Sequence, residues 1–319
     1  MMKNKIKYLS VSALSVLALG FGTQVAHASI QTDTIDEKWG KPTLVYGSSL
    51  LDEQVEEVNK SFNIHDISNV TRQVVSESDY GKYMNESDTT GVKLISSTLV
   101  AKREKGKGIS VKIVTPENIT RVTETQYRNA AITAGATDLA IEVASPAKVT
   151  GESALVGVSK ALEANGQEVD VKRAEIANQE VSTTALIADA NKDKQGFDSQ
   201  LLDNALIQIK TELAKEKQGK GKLADDKRVA QIVKEALKKN GLEGVLSDEQ
   251  VDQLVQFAKG YQSTSAIDSK EVLNQLGDLK DAISENVGKF LKSAEENGML
   301  EKAGNFVKSL WDSIVGFFK

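Results

Sequence analysis

Apolar residues recur along this chain with two periods, and the change between them falls near its middle. The run "TLVYG" (43–47) predicts a short strand. The helix after it carries Leu51, Val55, Val58 and Phe62 on one face, and Ser49 with Asp52 three residues on predicts its cap. "VTRQVVS" (70–76) predicts another strand. "VKLISSTLVAKRE" (92–104) and "GISVKIV" (108–114) alternate as two strands joined in a hairpin at Lys105-Gly106-Lys107-Gly108. A helix from Thr123 to Ala134 stops at Gly135, "LAIEVAS" (139–145) returns as a strand, and a helix from Glu152 to Ala164 closes at Asn165-Gly166.

Beyond that point the period is helical throughout. Leu202, Leu206, Ile209 and Leu213 form one stripe, and Val229, Ile232, Val233, Ala236 and Leu237 form another. Ser247 with Gln250 is a capping box opening a helix that buries Val251, Leu254, Val255 and Ala258. Leu273 to the end supplies two more segments, broken around Asn297-Gly298. All three prolines lie before residue 150. The expected fold class is α+β: a small mixed sheet with a βαβ unit and packed helices, then a C-terminal all-α bundle. The divisions are 1–28, 29–42 (a polar leader), 43–166 (the α/β part) and 167–319 (the helical part).

The first 28 residues change the picture of location. Lys3, Lys5 and Lys7 precede the apolar core "LSVSALSVLALGFG", and Ala26-His27-Ala28 is a small-x-small cleavage site. This reads as a secretory signal peptide, with the mature chain beginning at Ser29; the core is shorter than the ~20 residues a membrane span needs. Cleavage removes three lysines and moves the formal charge from −5 to −8. So acidic a chain lacks the basic footprint of a nucleic-acid binder. It has no cysteine, so neither disulfides nor lipoprotein acylation is available.

Candidate chemistry concentrates in "SPAKVTGESAL" (145–155). Gly151-Glu152-Ser153-Ala154-Leu155 lacks the second glycine of a nucleophile elbow, and the mature chain's one histidine, His65, precedes Ser153 instead of following it. Ser145 and Lys148 match S-x-x-K, but Gly151 follows too soon for a helix, and S-D-N and K-T-G are missing. The expectation is a helix opening in which Thr150 or Gly151 caps and Glu152 meets the positive end of the dipole. "GKGISV" and "GKGK" lack the spacing of a phosphate loop. One histidine and no cysteine cannot build a structural zinc site. No catalytic residue, metal or cofactor is assigned. Ser145, Thr150, Gly151, Glu152 and Ser153 are the candidate binding residues.

The last segment, "NFVKSLWDSIVGFFK" (305–319), has Phe306, Leu310, Ile314 and Phe317 on one stripe with Trp311 and Phe318 beside it. Docking onto the bundle and contact with a membrane or partner both fit this broad apolar face.

"YRNAAITAGATDLAIEVASPAKVTGESALVGVSKAL" (127–162) resembles a secreted Firmicutes family of unknown function typified by the Bacillus protein YpuA, through Asn129-Ala130-Ala131, Val143-Ala144-Ser145-Pro146 and Val149 to Leu155. "GSSLLDEQVEEV" and "LSDEQVDQLV" fit the same family, so the resemblance covers most of the mature chain. It implies an exported cell-envelope protein and supplies no catalytic residues. The expected function is therefore binding or organising at the envelope, in the secreted space or held at the cell surface, with a wall, membrane or protein component as partner. The alternative is a hydrolase of cell-wall polymer, which the 5% aromatic content disfavours because sugar sites use aromatic platforms.

Overall fold

The computed structural model describes residues 29–32, 39–194 and 196–296. Residues 1–28, expected as a signal peptide, and the amphipathic stretch 305–319, with Phe306, Leu310, Trp311, Ile314, Phe317 and Phe318, lie outside them. Five strands are present among the described residues: β1 (Thr43–Gly47), β2 (Thr71–Val75), β3 (Ser97–Lys102), β4 (Ser110–Ile113) and β5 (Leu139–Ala144). The helices are α1 (Asp52–Ser61), α2 (Glu77–Met84), α3 (Glu124–Ala134), α4 (Ala154–Ala164), α5 (Val171–Asn191), α6 (Ser199–Lys220), α7 (Asp226–Lys239), α8 (Asp248–Gln262) and α9 (Lys270–Glu296). The fold is mixed α and β, as the two periods imply, with helices packed after the sheet region.

The strand order is β2-β1-β3-β5-β4. β1 pairs parallel with β2 and β4 parallel with β5, while β3 runs antiparallel to both neighbours. Four strands therefore share one direction and end at one edge.

The expected β3–β4 hairpin does not form, because β5 lies between the two strands. Asp138 accounts for the rearrangement. It sits at φ +50 just before β5. Its carbonyl accepts from Arg103 N–H at 2.7 Å and its carboxylate from Gly108 N–H at 2.8 Å. Both ends of the 103–108 loop are thereby stapled to the start of β5. Alternation along a strand specifies its faces and leaves its neighbour open.

Ser49 does not cap α1 either. Its backbone N–H donates to Leu94 O, and its hydroxyl accepts from Leu94 N–H. Leu51 takes the cap position, its N–H bonded to Gln54 Oε1. Helix α2, which the hydrophobic pattern does not reveal, opens with a capping box between Ser76 and Asp79.

The two faces of the sheet are covered unequally. On one, Val45, Val100, Val111, Ile141 and Val143 belong to a large core that runs on through α3, α4 and the later helices. The expected stripes of α6 and α7 are buried within it, and α5 packs along α3. On the other face, Leu44, Tyr46, Leu99 and Ala144 form a smaller cluster with Val58 and Phe62 of α1 and with Ile30 of the leader. Each of the fully buried Leu44, Leu99, Val58 and Phe62 side chains contributes roughly 1.5–3 kcal/mol.

Candidate functional site at the carboxyl edge of the sheet

The 145–153 loop joins the end of β5 to the start of α4, so it lies at the edge where the four like-directed strands end. Open α/β sheets bind ligands on this side.

Most of the loop is held by its neighbours. Ser145 N–H donates to Thr115 Oγ1 at 2.9 Å, its carbonyl accepts from Asn118 Nδ2 at 2.8 Å, and its own hydroxyl donates to Ala147 O at 2.7 Å. Val149 bonds with the 118–120 segment in both directions. Residues 146–147 form a bend and no helical turn follows Ser145, so the helical S-x-x-K geometry is not formed. Thr150 is exposed, and its carbonyl accepts from Val122 N–H. Gly151 is buried at φ +108. A Cβ there would lie 2.7 Å from Tyr127 Oη and 2.8 Å from Ile119 Cγ2. Tyr127 donates to Gly151 O at 2.5 Å. Burial, reinforced by the nearby Glu152 charge, raises this phenol's pKa and keeps it a neutral donor.

Glu152 pairs with Arg121 at 3.3 Å, and Arg121 Nε lies 3.5 Å from Asp189 on α5. The loop is thus tied by charge to the helical layer.

Ser153, not Thr150 or Gly151, occupies the N-cap position of α4, and it makes no side-chain capping bond. With φ −69 and ψ −14 it is already helical, so its hydroxyl does not fold back onto the first turn. It meets Ser96 Oγ instead, at 3.2 Å. The pair stands at a narrow recess lined by Thr98, Val45, Val75 and Leu94. Gly157 allows α4 to seat on β3, since a Cβ there would come within 2.8 Å of Thr98 Oγ1. Thr98 Oγ1 in turn donates to Ala154 O at 3.0 Å. α2 fastens to α4 beside this recess through Asp79–Lys160 and Lys82–Glu163, both at 2.8 Å. Lys82 and Glu163 also lie beside Tyr83, whose pKa burial pushes up to about 12.

The structure therefore gathers Glu152 and Ser153 at one edge with Ser96 and Arg121, and commits Ser145 and Gly151 to holding the loop. Ser153 finds a hydroxyl as its partner, and either oxygen of the pair can donate. His65 is exposed in the loop before β2, at the opposite edge of the sheet. Among the described residues no group of three His, Cys, Asp or Glu side chains is placed to hold a metal ion. Within them, no helix is long and apolar enough to cross a membrane.

A second polar cluster escapes the sequence reading. Lys210 on α6 is fully buried and pairs with Glu180 on α5 at 2.8 Å; it also donates to Asn129 Oδ1 and to Thr133 Oγ1 on α3. Its ammonium lies 5.9 Å from the Tyr261 ring centroid on α8. Asp203, two turns before Lys210, is 1% exposed. Burial, with Asp198 and Glu180 adding to it, drives the Asp203 pKa well up, while burial lowers that of Lys210 against the pull of Glu180. The available signal was the spacing of Asp203, Leu206, Lys210 and Leu213, which puts two charges on the buried face of α6.

The family described as "Protein of unknown function (DUF1002)" matches residues 46–279. The uncharacterized protein YpuA of Bacillus subtilis (strain 168) is 32% identical over 290 residues, covering 89% of this chain and 92% of that protein. No solved structure matches the chain.

Proposed function

From the premise that the chain belongs to this family of unknown function (DUF1002), we propose that it is an exported cell-envelope protein that works by binding and not by breaking bonds. The observation that carries this reading is the Ser96–Ser153 pair. Two neutral hydroxyls face each other at 3.2 Å beside the recess, where an activated serine would need a general base within hydrogen-bond reach. Hydroxyls with the adjacent Glu152–Arg121 pair can exchange hydrogen bonds with a polar partner such as a wall polymer or an envelope protein. Lys3, Lys5, Lys7 and the Ala26-His27-Ala28 site support export. The apolar stripe of Phe306, Leu310, Trp311, Ile314, Phe317 and Phe318 supports a second contact, with membrane or partner.

Two measurements test the reading. Culture fractionated into medium, wall and membrane should hold the protein outside the cytoplasm, and a cytoplasmic pool alone overturns export. Purified residues 29–319 should pellet with isolated wall material or float with anionic vesicles, weakened respectively by Ser153→Leu or by truncation after Gly304. Release of soluble wall fragments that stops in Ser153→Ala would make it a hydrolase instead.

A further inference from the structure

Glu142 lies in the middle of β5, opposite Leu99 on β3 and Lys112 on β4. It is only 3% exposed, on the side of the sheet that α1 covers. A carboxylate buried there needs partners. Ile30 N–H donates to its Oε1 at 3.0 Å. The Ile30 side chain is 9% exposed and packs in the α1-side cluster with Leu44, Leu99 and Ala144. Lys112 Nζ donates to Ser29 Oγ at 3.1 Å. Residues 29 and 30 are therefore docked over β5 and β4, and they roof the Glu142 carboxylate. Burial still raises its pKa, against the pull of the Ile30 bond and the Lys112 charge.

We infer that cleavage after Ala28 completes this site: the freed α-ammonium of Ser29 pairs with Glu142 and locks the leader onto the sheet. The inference rests on the export reading, in which a peptidase adds water across the Ala28–Ser29 bond. Ala28 leaves as a carboxylate, and Ser29 keeps the nitrogen as an amine that takes up a proton at neutral pH. Successive backbone nitrogens are about 3–4 Å apart, so the new charge arises within roughly 7 Å of Glu142 Oε1, and free rotation about the terminal residue can shorten that distance. In the uncut chain the same nitrogen is a neutral amide. Removing the signal segment thus exchanges a dipole for a full positive charge at the exposed Ser29, beside a buried negative one.

The test is the α-amino titration of residues 29–319, followed by NMR on labelled serine. An unperturbed α-amino group titrates at about 7.7–8.0. In the parent chain the Ser29 ammonium should hold its proton at least about threefold more tightly, roughly half a pH unit, than in Glu142→Gln. Equal values overturn the pairing. Should Glu142→Gln fail to fold, a chain beginning at Ala28 serves in its place, because its Ser29 nitrogen is a neutral amide. Corrected for the intrinsic rate at each position, its Ile30 amide should exchange with solvent about threefold faster than in the Ser29 chain, and equal protection again overturns the pairing. The mass of the exported protein separates the two premises. A start other than Ser29 overturns the cleavage reading, whereas a Ser29 start with an ordinary amine overturns the pairing alone.

Discussion

On the face of the sheet covered by α3 and α4, the deepest charges sit between helices: Lys210 meets Glu180, and Asn129 and Thr133 complete the shell. On the α1 face, the deepest charge is Glu142, and a short leader, not a second helix, closes over it. The first arrangement is internally compensated: both partners come from long helices packed into one large core, and neither can leave alone. The second depends on the few contacts that Ser29 and Ile30 make. A buried charge is only as secure as the element that carries its partner, so the two faces should answer mutation differently in size and in reach.

The largest effect is expected from Lys210→Met. It leaves Glu180 buried without a counterion and should cost about 3–5 kcal/mol in urea unfolding at neutral pH. Removing both charges, Lys210→Met with Glu180→Met, should recover most of that loss; a double variant as weak as the single one would break the account of a compensated pair. On the thin face Ile30→Ala should cost less, about 2 kcal/mol, because the leader can shift to fill the space. Its reach should also be local, with faster amide exchange at β4 and β5 and none in α5 or α6. Exchange rising throughout would show that the leader supports the whole fold.

The smallest effect concerns Asp203, and it has the opposite sign. Its pKa is raised in the folded chain, so the folded state holds this proton more tightly than the unfolded one. Stability then falls as pH rises from the usual carboxylate range near pH 4 through the folded value. Asp203→Asn cannot ionise, so it should flatten that slope and be more stable than the parent chain at pH 7. An unchanged slope would sharpen the comparison by showing that Lys210 compensates Asp203 as well as Glu180.

The candidate site was legible in part. "SPAKVTGESAL" stands out in the sequence, and any larger residue at Gly151 would be strained by its positive φ and would meet the Tyr127 hydroxyl. The partner of Ser153 was not legible, because Ser96 lies 57 residues away and reaches it only when α4 seats on β3. Lys210 hid for a related reason: one lysine in an apolar stripe is ordinarily a solvated residue at its margin, and only the approach of α5 supplies Glu180.

By itself the sequence determined what local forces govern. The five strand segments follow from their apolar runs, the α6 and α7 faces from their 3.6-residue period, and the α8 start from Ser247 and Gln250. Tertiary structure decided which strands are neighbours, where β5 inserts between β3 and β4, and which charges are buried. Periodicity assigns a side chain to a face at no cost in chain closure, but choosing what that face meets requires distant segments to come together, and the free energy of that choice lies in contacts no single segment contains.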